Sequence, residues 1–479
     1  MAEVVLRMNK GVVRDAPATS LGTDYLSDAS HMRFFDGSLR KMPGHALHYD
    51  ASVAADSNPW NSIFLWQNAG LDYLLMANKA SVFLWDGTDE TEIASGLSGS
   101  DVNYQMTFAA FGSHILASDG LVDPKKLVYP YTSWADISDS PPKADVIRVF
   151  QRHAILLGVY GYPNRVVWSD IDDYDVWTPA AENEAGDIDL YESSSPVVGG
   201  EGLGDFFAVY TGTQIHVLQY VGGVYVFNRR IASYNTGLWS KRLLCTQGSV
   251  QYFMSPVGFY SFDGMSAREI GEGINDYVYS MIDKTNISSG FCFVNQDWGE
   301  VWFCLPTIGS DGKPTLACIY NYRNDSWTFD TVAWWHGVAK LPVAYPLFAK
   351  DDYKIYELGN TENAAGSAIT GYAVSAEFGG EHIESYKHVL RIIPEIYSSC
   401  EAVKFQIGYR DKFNDAVTWS DPYTFNPQTD WKIDTATKPD GTRPGPGGHL
   451  LRIKVYTDGV DTPFVLNSIR VVYEAEGER

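Results

Sequence analysis

Four carboxylates stand within six residues, at Asp170, Asp172, Asp173 and Asp175. Acids this close can act as the proton donor and base of glycoside hydrolysis, or as oxygen ligands for a hard cation. The group lacks the glycine and terminal glutamate of a helix-loop-helix calcium site, so solvated loop acids are the expectation. His45 and His48 form an i, i+3 pair beside Pro43 and Gly44, a poor chelate without further ligands. Asn324-Asp325-Ser326-Trp327-Thr328 approaches the Asp-box turn of sialidase-type propellers, but once rather than in repeats. No Gly-x-Ser-x-Gly elbow, phosphate loop or dinucleotide fingerprint occurs. The chain therefore reads as a non-enzyme, with no catalytic, metal-binding or cofactor-binding residue assigned.

The five cysteines are Cys245, Cys292, Cys304, Cys318 and Cys400. An odd count without a close pair gives neither a disulfide framework nor a zinc site, and buried small hydrophobes in a reducing cytoplasm are expected. Glu3, Arg7 and Lys10 break up the apolar residues of the first thirteen positions, so this stretch is not expected to act as a signal peptide. No apolar run approaches the ~20 residues of a membrane helix. Lys and Arg total 36 against 59 Asp and Glu, a formal charge of −23. That balance opposes general adhesion to nucleic acid, which needs a dense cationic face, without excluding a protein that nucleic acid slides past; a soluble acidic protein with no partner preference is the plainer reading.

The elements that would carry these residues are strands. Short runs rich in Val, Tyr, Phe and Trp are cut by Gly, Asp or Pro turns, the mark of antiparallel β-structure. The densest stretch is 164–271, which includes the aromatic run 222–227, read as sheet core rather than a ligand platform. Between about Trp60 and Gly359 a strand-turn-strand unit recurs near Leu74, His114, His153, Phe207, Gln251, Glu300 and Leu347. The interval is about 45 residues, the length of a four-stranded propeller blade. The expected fold is all-β: a β-propeller of six or seven blades over 56–362, with terminal strands shared to close the ring. Two stacked β-sandwiches are the competing architecture.

Residues 1–55 read as an N-terminal arm with one hairpin, Asp36-Gly37 forming the turn between Arg33-Phe34-Phe35 and Ser38-Leu39-Arg40-Lys41. The arm has too little apolar material to bury itself and is expected to pack on another part of an assembly. After a crossover at 361–368, period-two alternation in 389–397, 403–409, 450–456 and 464–473 indicates a C-terminal β-sandwich over 363–479. The Gly/Pro-rich stretch 440–448 reads as a loop that orders against a partner.

The order and spacing of three motif groups resemble the tail nozzle, or tail hub, proteins of short-tailed bacteriophages, also called packaged-DNA stabilisation proteins. The first group is Lys10-Gly11, Asp15-Ala16-Pro17 and Leu21, with Arg33-Phe34-Phe35-Asp36-Gly37 and Lys41-Met42-Pro43-Gly44. The second is Trp168-Ser169-Asp170, Trp177-Thr178-Pro179, Val224-Tyr225-Val226-Phe227 and 258–264. The third is Glu300-Val301-Trp302-Phe303, Ile319-Tyr320-Asn321-Tyr322 and Trp327. The likeness runs to about residue 335 and is looser beyond it.

The resemblance implies a virion protein of the tail, assembled in the host cytoplasm. It implies a ring of six copies below the portal-adaptor, through which double-stranded DNA exits without specific binding. Its partners would be itself, the tail adaptor, and a tail needle, fibre or tailspike. Arg33, Phe34, Phe35, Arg40, Lys41, Trp334 and Trp335 are the interface candidates, set against burial within their own propeller. The alternative function is a tail propeller that binds or cleaves host-surface glycan.

Overall fold

The computed structural model describes residues 1–51, 58–99, 103–223, 225–339, 342–379, 384–399, 402–437 and 445–476. Among them lie nine antiparallel sheets and one short α-helix, Asn275–Met281. Seven sheets have four strands each. Sheets 1 to 6 begin at Ser62–Asn68, Thr107–Phe111, Ala144–Phe150, Val197–Leu203, Leu244–Gln247 and Phe291–Asn295, and each adds the next three strands of the chain. Sheet 7 takes His336–Val338, Leu347–Ala349 and Ile355–Leu358 and is completed by His45–Tyr49 from the N-terminal segment.

Each hairpin read from the sequence falls in its own four-stranded sheet. Successive sheets touch through their first strands, and sheet 7 touches sheet 1, so the set closes on itself. That arrangement is a β-propeller. Its core strands are apolar on both faces: every residue of Glu300–Pro306 is buried, because sheets lie on either side. Turns carry the left-handed backbone. Asp36 and Gly37 take φ of +50° and +75°, the two left-handed positions a two-residue hairpin requires.

The two remaining sheets are larger. One has seven strands, centred on Lys387–Ser398 paired with Phe464–Ala475 and flanked by Ala2–Leu6 and by the hairpin Met32–Phe35/Ser38–Lys41. The other has six, running from Leu26–Ser30 through Gly371–Ser375 and Leu450–Thr457 to Val403–Arg410. Burial alternates along Leu450–Thr457, as a strand with one solvated face demands. Val389, Ile392 and Leu466 of one sheet and Phe405, Ile453 and Val455 of the other belong to one apolar cluster. The same cluster continues into sheets 5 and 6 through Phe253, Phe259, Phe303 and Trp327.

The arm thus finds its burial inside the chain rather than on a neighbour. Leu6, Met8, Val12, Phe34 and Leu39 are all enclosed in that cluster, each large side chain contributing about 1.5–3 kcal/mol. Gly11 explains how close the arm runs to sheet 6. At φ +101° it sits so near the Trp327 backbone that an added Cβ would meet Trp327 N at 2.9 Å, and Val12 N–H donates to Trp327 O at 2.8 Å.

Candidate functional site

Two places concentrate polar chemistry: the seam between arm and propeller, and the propeller axis. At the seam, the hairpin strand Met32–Phe35 inserts Arg33 beside sheet 6. Its Nη2 donates to Glu300 Oε2 at 3.2 Å, with each side chain 1% exposed. The guanidinium lies 3.8 Å from the centroid of the Trp298 ring, and Trp302 Nε1 donates to the same Glu300 oxygen at 3.0 Å. Burial pulls Arg33 below the usual arginine range and pushes Glu300 above the usual carboxylate range, each opposed by the other's charge. Nε and Nη1 of Arg33 have no hydrogen-bond partner among the described residues, so the aromatic face stands in for one.

The other arm candidates surround this pair. Phe34 is buried in the shared cluster and its carbonyl accepts from Asn321 Nδ2 at 2.8 Å. Phe35 packs on Trp298 with ring centroids 5.0 Å apart, and Arg40 lies over its other side at 5.0 Å. Lys41 is buried, its Nζ donating to Thr462 Oγ1 at 2.9 Å in the turn before Phe464–Ala475. Trp334 is stacked between Phe348 at 4.0 Å and Trp302 at 5.5 Å. Trp335 is half-buried and its indole donates to Asp351. Arg33, Phe34, Lys41 and Trp334 are therefore occupied within their own chain. Only Phe35, Arg40 and Trp335 of the seven keep a partly open surface.

The residues that suggested chemistry are dispersed or tied down. Asp172 pairs with Arg152 and Asp175 with Lys126. Asp170 accepts from the N–H groups of Ile171 and Glu184, and Asp173 from that of Asp175. Burial pushes Asp175 up, but hydrogen bonds from Lys126 and Ser138, joined by the Lys126 charge, hold it below the usual carboxylate range, so this acid is not poised as a proton donor. His48 meets Glu357 at 2.6 Å while His45 lies edge-on to Phe348 and Tyr356. Asp325, in the single Asp-box-like turn, accepts from the Tyr320 hydroxyl at 2.8 Å. Val226 and Phe227 enter the apolar cluster of sheets 3 and 4 whereas Tyr225 is exposed. Cys304 and Cys318 are buried and, among the described residues, unpaired. Cys400, Val224 and positions 440–444 of the Gly/Pro-rich stretch lie outside the described residues. Among the described residues no group of three or more His, Cys, Asp or Glu is placed to hold a metal ion.

Sequence reasoning missed the second place. The first strands of all seven four-stranded sheets line one axial cavity of 470 Å³. Its apolar wall includes Phe64 and Phe108, and its polar wall includes Arg148, Glu201, Lys241, Arg242 and His336. Lys241 and Arg242 follow the loop that enters sheet 5, and only the closed ring brings them beside Asn61, Ser62 and Gln105 of distant chain segments. An adjacent Lys-Arg pair after a Gly-Leu-Trp-Ser loop carries no periodic signal that would single it out.

No protein-family model and no curated protein matches the chain. Among solved structures, the computationally designed Ika8 protein is 8% identical with a TM-score of 0.41, the match covering 73% of this chain and 99% of that one. The Neurospora crassa Pan2 WD40 domain is also 8% identical with a TM-score of 0.41, over 67% of this chain and 96% of its own. No helix among the described residues is long and apolar enough to cross a membrane.

Proposed function

We propose that this protein is a wall segment of a short-tailed phage tail, a nozzle or hub subunit. It combines a seven-bladed propeller with a C-terminal β-sandwich formed by the two larger sheets. Several copies, six by the family resemblance, close around an axis through which double-stranded DNA leaves. The observation that carries this reading is the size and lining of the axial cavity. At 470 Å³ it is the size of a small-molecule pocket, so no duplex passes through a single propeller. A conduit must lie between copies, which calls for cyclic symmetry.

Charge and surface support the same picture. Six copies at −23 would bring on the order of −140 formal charges to the ring, so phosphates sliding past would meet mostly repulsion and release few counterions. The lumen is acidic or neutral in this reading, with cationic rings sparse. The arm, stitched into both larger sheets, ties propeller and C-terminal sheets into one block suited to a load-bearing ring. The surface that joins copies lies on the C-terminal block, where Phe413 and Trp431 are 58% and 65% exposed, alongside Trp419 and Tyr397. Adaptor and distal tail parts would dock at the two ends of the ring.

Negative-stain microscopy of the protein mixed with its adaptor tests the proposal. Closed rings support it. A monomer that stays off the adaptor and is retained on glycan arrays overturns it in favour of a host-surface glycan binder.

A further inference from the structure

The axial cavity carries a charge imbalance that ring closure does not require. Arg242 donates to Asn61 O and Ser62 Oγ and pairs with no carboxylate among the described residues. Burial, then the neighbouring Arg148, holds it down at about 9. Lys241 Nζ donates to the carbonyls of Gln105 at 3.1 Å and Asp145 at 3.0 Å. Burial lowers this ammonium to about 8, although Asp145 and, more weakly, Asp119 pull the other way. Arg148 is matched by Glu201 at 2.8 Å, the sole carboxylate on the described cavity wall. His336 adds no counter-charge. Its Nδ1 accepts from Ile63 N–H at 3.1 Å, and burial followed by Arg242 keeps it neutral.

Three cations therefore face one carboxylate in a partly desolvated chamber. Partly buried cations short of counter-ions are costly, and a bound oxyanion with charge-assisted hydrogen bonds offsets that cost. We propose that the axial cavity binds a small phosphate-class oxyanion, with Lys241 and Arg242 as its principal donors. The cavity has room for the anion with a partial water shell, and a free phosphate or the phosphate end of a mononucleotide meets the same chemistry. The ligand would pin the first strands of sheets 1 and 5 across the axis, and so would stabilise the ring independently of any DNA passing outside it.

Equilibrium dialysis of the full chain against radiolabelled inorganic phosphate, with chloride holding ionic strength constant, tests this directly. One saturable site per chain, competed by sulfate, is expected. A nucleoside monophosphate that competes as well as phosphate marks a site reading the oxyanion alone, and one that competes better adds contacts from Phe64 and Phe108. Absence of saturable uptake up to about 10 mM phosphate overturns the proposal. K241Q and R242Q are each expected to weaken binding about tenfold or more, as loss of one charge-assisted hydrogen bond implies. E201Q, which frees Arg148, is expected to tighten it. Unchanged binding in a natively folded R242Q, or weaker binding in E201Q, places the anion elsewhere. If R242Q does not fold, the wild-type stoichiometry and the direction of the E201Q effect decide.

Discussion

Arg33 and Glu300, 267 positions apart, meet at 3.2 Å in a site closed to water. One comes from the N-terminal hairpin and the other from an all-buried strand of sheet 6, so the contact locks the arm to the propeller. Removing one partner of such a pair strands the other charge, which costs about 3–5 kcal/mol, whereas replacing both with apolar groups of like size is near neutral. R33A is expected to lose stability in that range by urea denaturation. The double variant R33M/E300L should recover most of the loss, because Arg33 already leaves two nitrogens unpartnered. A double variant worse than either single one would mean the ion pair itself is strongly stabilising.

Acid should loosen the fold as its buried histidines take up protons. His45 is lowered to about 4 by burial and then Lys350, His216 to about 4 by burial and then Arg229, and His336 further by burial. A histidine depressed in the folded state stabilises above its unfolded value of 6.5 and loses that contribution as pH falls toward the folded value. His31 works in the opposite sense: the Asp330 charge and hydrogen bond outweigh burial and raise it, so its contribution is present at low pH and fades as pH rises. Net stability should therefore fall as pH drops from 6.5 to 5. H45N and H216N should each flatten that fall in pH-dependent urea titrations.

The adjacent tryptophans should separate cleanly. Trp334 is enclosed by Phe348, Trp302 and Phe293, so W334A is expected to cost about 3–5 kcal/mol through lost burial and a cavity. Trp335 is only half-buried. W335A should cost under about 1.5 kcal/mol, chiefly from its hydrogen bond to Asp351. Thermal melts of the two variants measure the contrast.

Exposed aromatics of the C-terminal block should matter to assembly and not to folding. F413S and W431S remove surface side chains, so each should shift monomer stability by less than about 0.5 kcal/mol. Ring formation on the adaptor, read by microscopy or mass photometry, should be lost in the double variant. Normal rings would move the subunit interface to another face.

The blades were legible because their signal is local. A Val-, Tyr- and Phe-rich strand, a Gly or Asp turn and a second strand sit within a few residues of each other, as in Leu71–Ala77 and Ser81–Trp85. The arm was not. Its partners are set by register across the whole chain, Val4 opposite Val471 and Leu39 opposite Leu466, and no window of sequence holds both. The same distance hid the role of His45–Tyr49, read as part of an arm though it is the last strand of sheet 7. Composition misled at Arg33 and Lys41: two cations near aromatics suggest an outward face, but Glu300, Trp298 and Thr462 accept them in the interior. The axial cations were invisible for a further reason. Lys241 and Arg242 acquire their setting only when seven first strands converge.

The most direct test is a cryo-microscopy reconstruction of the native particle that holds this chain, at a resolution that traces it. The account predicts a closed ring of copies, six in number, whose shared bore admits a duplex while each propeller axis stays shut. Solitary copies placed away from the DNA path, or a duplex threading the axis of a single propeller, would contradict it.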